Sequence, residues 1–475
     1  MNLSIAQIAK ACNGTLVCKG DVEKKVSSVV LDSRQVEVDG VFIATVGERV
    51  DGHKFIPDVF EKGVALVITQ KTPEQLKTEY DIDETTWGAY VLVEDTFQAL
   101  KDIAESYRES LQIPIVGITG SVGKTSTKEF IAGVLAEKFK VLKTEGNFNN
   151  EVGLPLTLLK IREEHEVAVV EMGISDFGEM HRLSKMAKPN ICVITNIGQC
   201  HLENLKTRDG ILQAKTEIFD FMAEDGQVCL NGEDDKLSTV TEVKGKATHF
   251  FGLGENSAEE VYAINVVSKG LWGSDATLVL RNGDASQEVK VEVPLPGIHM
   301  VTNAAAAACV AKQLDLTVDQ IAEGIRKVSA LGGRNNLIRV ENYTLIDDCY
   351  NANPVSMGAA LDLLQMADTL KVAVLGDMFE LGKDSDQMHA QVGRYAAVTG
   401  ADHIICIGEN SEHMYQAALK VAEPKQQIWH FATKDAFYKA LEEAREALLP
   451  GGATILIKAS HGMGFAEIVE MMKKY

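Results

Sequence analysis

Residues 117–126 read Gly-Ile-Thr-Gly-Ser-Val-Gly-Lys-Thr-Ser. The apolar run Ile113-Pro-Ile-Val precedes them, and the stretch TKEFIAGVLAEKF follows with helical periodicity. Strand, glycine loop, helix is the order a phosphate cradle requires. Glycines let backbone N–H groups face the phosphates, and the helix N-terminus adds partial positive charge. In such a loop Lys124 reaches the β- and γ-phosphates and Thr125 ligates Mg²⁺ through its hydroxyl. The candidate nucleotide contacts are therefore Thr119, Gly120, Ser121, Val122, Gly123, Lys124, Thr125 and Ser126. Ile118 occupies the first glycine position of the strict G-x4-GK[ST] pattern, so the match is to the variant TGxxGKT. The competing reading is an ordinary glycine turn that happens to contain Lys and Thr.

Working outward, IPIVGITG, VAVVEMG, ICVITNIG and GQVCLNG are unalternating and β-branched. Such runs suit strands covered on both faces, and the helical patterns between them give a doubly wound parallel sheet. Between about 260 and 296 the pattern alternates around Gly and Asn, which predicts an antiparallel insertion. An Ala-rich helix follows from Asn303 to Lys312. Upstream, VSSVVLDSR, GVFIATVG, ALVIT and YVLVED alternate with FIPDVFEKG and FQALKDIAESYRESL, a small α/β domain. Downstream, YTLIDDCY, KVAVLGDM, HIICIGEN and ATILIKAS predict strands, with helices after 355, 386, 411 and 433. The fold class is thus three α/β domains in series: 1–112, a central phosphate-loop domain at 113–333, and a Rossmann-like domain at 334–475.

At 475 residues the chain has room for about three domains. Its 47 basic and 68 acidic residues give a net charge of −21. So acidic a chain has no general attraction for nucleic acid or anionic lipid, and any phosphate must be held by a local site. No apolar run is long enough for a membrane span. The first residues read as an amphipathic helix rather than a signal peptide. The eight cysteines carry no CxxC pair and sit mostly in apolar contexts, which predicts buried free thiols in a reducing cytoplasm.

Two groups downstream of the loop narrow the chemistry. Glu171 ends the strand VAVVE, at the sheet edge where parallel sheets place ligands. His201 lies just past ICVIT. A carboxylate and a neutral imidazole at neighbouring strand ends can hold metal ions against phosphates. Singly, Glu171 also reads as a strand-end cap, and a lone His201 is more often a hydrogen-bonded structural residue. Their shared position after a phosphate loop selects the functional reading.

The segments TGSVGKTS, EMGIS, NIGQCHLEN, QAKTEIF, GIHMVTNAAAA, GGRNN and DDCYNANP resemble, in order and spacing, the serial motifs of the Mur ligases. These are ATP-dependent amide-forming enzymes of bacterial peptidoglycan precursor assembly. The N-terminal DSRQVEVDGVFIATVGERVDGHKF resembles the uridine-nucleotide domain of the two later ligases. The patterns at 144–158, 347–357 and 375–382 are typical of the member that adds a dipeptide. The DYAH-type motif of the preceding ligase is absent.

The resemblance implies ATP-dependent joining of D-alanyl-D-alanine to UDP-N-acetylmuramoyl-tripeptide through an acyl phosphate, by a cytoplasmic monomer. It implies two Mg²⁺ ions: Thr125 and Glu171 on the first, His201 and Lys215 serving the second, with Lys215 as a carbamate formed from CO₂. Asn303, Arg334 and Asp348 contact ATP. Asp32, Ser33, Arg34, Asp51, Gly52 and His53 lie around the uridine nucleotide, and Asn147, Asn149 and Asn150 face the muramoyl peptide. Tyr350, Asn351, Asn353 and the loop after Leu375 receive the dipeptide. Without the resemblance, DSR and DGH read as turns, the Asn cluster as an Asx-rich loop, GGR as a hinge and Lys215 as a solvated helix lysine. Three positions depart from the family pattern. Met300 stands where GxHN has Asn, His461 where a KGSR-like motif has Arg, and Val122 where the loop commonly has Asn. Folylpolyglutamate synthase shares the core motifs but begins directly with its ATPase domain. A phosphate-loop protein that only binds nucleotide would have no need of Lys124, Thr125, Glu171, His201 and Lys215 together.

Overall fold

The computed structural model describes the chain except for residues 19, 48–49, 83–86, 199, 255–258, 330–335, 380 and 475. Arg334 and the GGR segment therefore lie outside the described residues, as does the boundary expected at 333. Three larger sheets organise the fold. The first runs Thr15–Val17, Ala89–Leu92, Leu66–Thr69, Val41–Ile43, Val29–Val30, parallel except for its first pair. In the second, Val141–Lys143, Val167–Glu171, Ile115–Thr119, Ile191–Ile194, Gln227–Asn231 and His249–Leu253 are parallel neighbours. The alternating stretch adds Glu259–Ser268, Ser274–Asn282 and Ala285–Val293 to its edge, in chain order. The third sheet runs Asn336–Arg339, Thr344–Asp347, Thr454–Lys458, Lys371–Gly376, His403–Ile407, Gln427–Phe431, parallel except for its first pair. The chain separates into two compact units. One comprises Met1–Ile264, Thr277–Val291 and Thr302–Arg326; the other comprises Asn265–Ala276, Glu292–Val301 and Lys327–Tyr475.

The central strands are apolar on both faces because both faces are covered: Ile115–Thr119 and Val167–Glu171 are buried at every position. Some short elements gave no sequence signal. The edge strands Thr15–Val17 and Val141–Lys143 are three residues long and half exposed, and Gln427–Phe431 mixes polar residues with aromatics.

Within the first unit the core does not stop at residue 112. One continuous apolar cluster joins Ile8, Ile43, Val91 and Ile103 to Leu154, Met180 and Ile194. The helix Thr96–Glu109 is the seam. Tyr107 donates its hydroxyl to the Ile161 carbonyl at 2.6 Å. The buried Arg108 guanidinium donates to the carbonyls of Ala187 (2.8 Å), Lys188 (3.1 Å) and Leu111 (3.1 Å), and to Asn190 Oδ1 (3.0 Å). Ala187 ends the helix Glu179–Ala187, so the cation also offsets the negative end of that helix. Asn190 Oδ1 accepts in addition from Ile115 N, at the start of the strand that leads into the phosphate loop. Arg108→Met takes the guanidinium donors from the Ala187, Lys188 and Leu111 carbonyls. It should cost about 3 kcal/mol of unfolding free energy, read as a lowered urea midpoint at unchanged slope. A fragment ending near 112 would cut through this core, so uridine-nucleotide binding is best measured on the whole chain.

Candidate active site

The phosphate loop takes its shape from two glycines. Gly120 has φ +153, and a Cβ there would lie 1.9 Å from Thr195 Oγ1. Gly123, with φ +81, caps the helix Lys124–Leu135. Asn196 wires the loop from the next strand end: its carbonyl accepts Ser121 N (3.1 Å), its Oδ1 accepts Val122 N (3.0 Å), and its amide donates to Val122 O (3.0 Å). Thr195 Oγ1 also donates to Val122 O, at 2.7 Å. The Val122 side chain itself is 63% exposed. Lys124 Nζ donates to Gly120 O at 2.9 Å. Thr119 is buried, its hydroxyl oxygen without a hydrogen-bond partner among the described residues, and Ser126 is half-buried.

Glu171 lies at the mouth of this loop and is only 3% exposed. Its Oε2 accepts from Thr125 Oγ1 (3.0 Å) and its Oε1 from the Asn149 amide (2.8 Å). Both donors are neutral, so the buried anion retains charge for a cation. Asn149 thereby brings the asparagine loop to the candidate metal carboxylate. Asn150 Oδ1 accepts Val152 N and Gly153 N, which turns the chain into the helix Gly153–Leu158. Asn147 is exposed, and its carbonyl accepts Asn149 N. Asn303 sits behind the loop, with Oδ1 accepting from Thr127 Oγ1 at 2.9 Å.

His201 occupies a left-handed backbone position, φ +51. Burial, then the charges of Lys215 and Lys124, lower its pKa and favour the neutral ring that a metal requires. Lys215 is 1% exposed and has no hydrogen-bond or ion-pair partner among the described residues. Burial and the Lys124 charge pull its ammonium down to about 8. A solvated helix lysine would show neither property. One cavity of about 450 Å³ is lined by Lys124, Asn149, Asn150, Glu179 and His201, among others. Among the described residues no group of three or more His, Cys, Asp or Glu could hold a metal.

The N-terminal candidates are arranged as two polar turns. Arg34 donates Nε and Nη2 to the Asp32 carboxylate (2.7–3.1 Å), and this exposed pairing holds Asp32 near 2. Ser33 offers its carbonyl to Lys62 Nζ at 2.7 Å. Asp51 is the centre of a network, accepting from Tyr80 OH (2.6 Å), Lys71 Nζ (3.1 Å) and His53 N (3.0 Å), with His53 Nδ1 at 2.6 Å. Burial alone would raise this carboxyl, but those hydrogen bonds outweigh it and hold it well below the usual range. The His53 ring is fully buried and lowered by that burial. Gly52 fits because a Cβ would lie 2.9 Å from Thr45 O.

In the C-terminal unit, Asp348 is buried and paired with Lys458 Nζ at 2.6 Å. The same ammonium donates to Asn351 O at 2.9 Å. Asn353 caps the helix Pro354–Gln365 in a reciprocal capping box with Ser356. The half-exposed Tyr350 lies against His461, ring centroids 5.8 Å apart.

Family models cover most of the chain. Residues 25–108 match "Mur ligase family, catalytic domain", 118–311 match "Mur ligase middle domain", and 333–461 match "Mur ligase, glutamate ligase domain". The chain belongs to the Mur ligase family. It has the three-domain α/β architecture of Mur ligases and is an enzyme of the ligase class. The UDP-N-acetylmuramoyl-tripeptide–D-alanyl-D-alanine ligase of Bacillus subtilis (strain 168) is 34% identical over 470 residues, covering 98% of this chain and 97% of that protein. A crystal structure of MurF from Acinetobacter baumannii superposes with a TM-score of 0.87 at 30% identity, covering 99% of each chain. MurF ligase from Thermotoga maritima in complex with ADP gives 0.74 at 28% identity, covering 94% of this chain and 97% of that one.

In this Mur ligase the structure adds residues that sequence reasoning passed over. Asn196 and Thr195 hold the phosphate loop, Thr144 Oγ1 accepts Glu171 N at 3.0 Å, and Glu179 lines the cavity. Asn196 lay inside a quoted motif without a role. Thr144 opens the 144–158 pattern, likewise without a role, and nothing in single-sequence spacing marks Glu179. Of the family departures, Met300 is buried and His461 exposed. No helix among the described residues is long and apolar enough to cross a membrane.

Proposed function

We propose that this chain joins D-alanyl-D-alanine to UDP-N-acetylmuramoyl-tripeptide at the expense of ATP, during peptidoglycan precursor synthesis. The observation that carries the reading is the shared cavity. A phosphate-loop lysine, the asparagine loop and His201 meet there beside the buried Glu171, in a chain that aligns end to end with relatives bearing that activity in their names.

A peptide carboxylate is a poor acyl donor at neutral pH. Transfer of the γ-phosphoryl group makes an acyl phosphate with a good leaving group. Lys124 and the N-terminus of the helix Lys124–Leu135 stabilise charge on the transferring group. Thr125 Oγ1 and Glu171 form a hard-oxygen donor set that suits Mg²⁺, which takes one or two carboxylates and completes its shell with phosphates and water. The residues fit that ion without a dense cluster of acids. When bound, Mg²⁺ neutralises phosphate charge. His201, neutral, and Lys215, as a carbamate, would serve a second ion. Asn149 links the peptide-facing loop to Glu171, so substrate seating and the metal carboxylate are mechanically coupled. Asp32 to Arg34 and Asp51 to His53 are the candidate uridine-nucleotide elements; Asn303, Asp348 and Arg334 the candidate ATP contacts; Tyr350, Asn351 and Asn353 the candidate dipeptide contacts. The enzyme acts in the cytoplasm as a monomer.

Phosphate release measured with purified protein tests the reading. Release from ATP should require UDP-N-acetylmuramoyl-tripeptide and D-alanyl-D-alanine together. Equal release with either omitted would leave only an ATPase.

A further inference from the structure

The amine of D-alanyl-D-alanine arrives at neutral pH mostly as an ammonium, since α-amino groups have reference pKa values of about 7.7–8.0. An ammonium has no lone pair and cannot attack. A proton acceptor in the cavity beside Lys124 would raise the fraction able to attack. The walls of that cavity carry two carboxylates, Glu151 and Glu179. Glu151 is committed: Arg182 grips it through Nε (2.6 Å) and Nη2 (2.9 Å), with Lys101 at 3.6 Å. Glu171 is occupied by Thr125 and Asn149 at the metal position. Glu179 differs. Its Oε2 accepts Ser175 N (2.6 Å) and Asp176 N (3.2 Å), which fixes the carboxylate at the start of the helix Glu179–Ala187. Its Oε1 has no hydrogen-bond partner among the described residues.

We propose that Glu179 is a catalytic residue of the second half-reaction, binding the incoming ammonium through Oε1 and taking its proton. This rests on the ligase reading above. The first proton passes from nitrogen to Glu179 and then to water. The freed lone pair forms the C–N bond at the acyl carbon. The tetrahedral intermediate expels phosphate by breaking the C–O bond, and the second proton leaves the nitrogen with HPO₄²⁻. The rival role for Glu179 is structural, the capping of residues 175 and 176.

Hydroxylamine separates the two roles. It is already neutral near neutral pH and traps an acyl phosphate as a hydroxamate without needing a base. With intact enzyme, ATP and UDP-N-acetylmuramoyl-tripeptide, Glu179→Gln should form hydroxamate within a few-fold of wild type. Its amide formation with D-alanyl-D-alanine should fall at least about a hundredfold, while ADP affinity by calorimetry is unchanged. Glu179→Asp, which keeps a carboxylate, should recover part of the loss. Amide formation within a few-fold of wild type in Glu179→Gln overturns the proposal. So does an equal loss of hydroxamate and amide, which marks the cap. A wild type that forms neither product would instead overturn the ligase reading.

Discussion

Lys124→Ala lowers turnover by about a hundredfold or more and leaves the fold intact. The ammonium sits in the first turn of the helix Lys124–Leu135, half-buried, and donates to the Gly120 carbonyl. Removing it opens no apolar cavity, because the core face of that helix is carried by Phe130, Ile131, Val134 and Leu135. Under the phosphate-cradle assignment what is lost is a cation placed where phosphoryl charge rearranges, and the loss falls on the transition state more than on nucleotide binding. Steady-state kinetics with both UDP-N-acetylmuramoyl-tripeptide and dipeptide saturating, beside a thermal melt, provide the check. Near-normal turnover in the variant would remove the phosphate-cradle assignment.

Lys215→Ala should abolish most activity, and acetate or another short carboxylate should partly restore it. An unmodified ammonium beside Mg²⁺ would repel the metal, whereas a carbamate presents anionic oxygen. Carbamate formation needs the neutral amine. With its pKa pulled down to about 8, roughly a tenth of Lys215 is neutral at pH 7, against a few parts in ten thousand for a free lysine. Raising pH from 7 towards 8.5 in bicarbonate should therefore speed recovery of CO₂-stripped enzyme. Stability gives an independent sign. The folded pKa lies below the unfolded one, so between about 8 and 10.5 the unfolded chain holds the extra proton. This group's contribution to stability then rises with pH across that window and is unfavourable below it. In metal-free, CO₂-free protein, Lys215→Met should remove that rise. Full activity in Lys215→Ala, or a bare amine at high resolution with both metals bound, would defeat the carbamate.

The sequence by itself determined the fold class and the strand–glycine loop–helix shape of the candidate phosphate loop. Both follow from local rules. Short unalternating β-branched runs such as Val167–Glu171 suit strands covered on both faces, and a glycine loop between strand and helix needs no distant partner to be recognised. The helix expected after 355 was equally local. Tertiary structure decided the rest. Lys215 reads as a solvated lysine in its helix, and only the packing of the elements around it strips its water and partners. The Asp51–His53–Lys71–Tyr80 network joins residues up to 29 apart in sequence. The link from Asn149 to Glu171 and the Arg108 seam across residue 112 join residues 22 to 82 apart. No sequence period encodes such pairings, because they are made where separate elements end at one sheet edge or abut across a shared core.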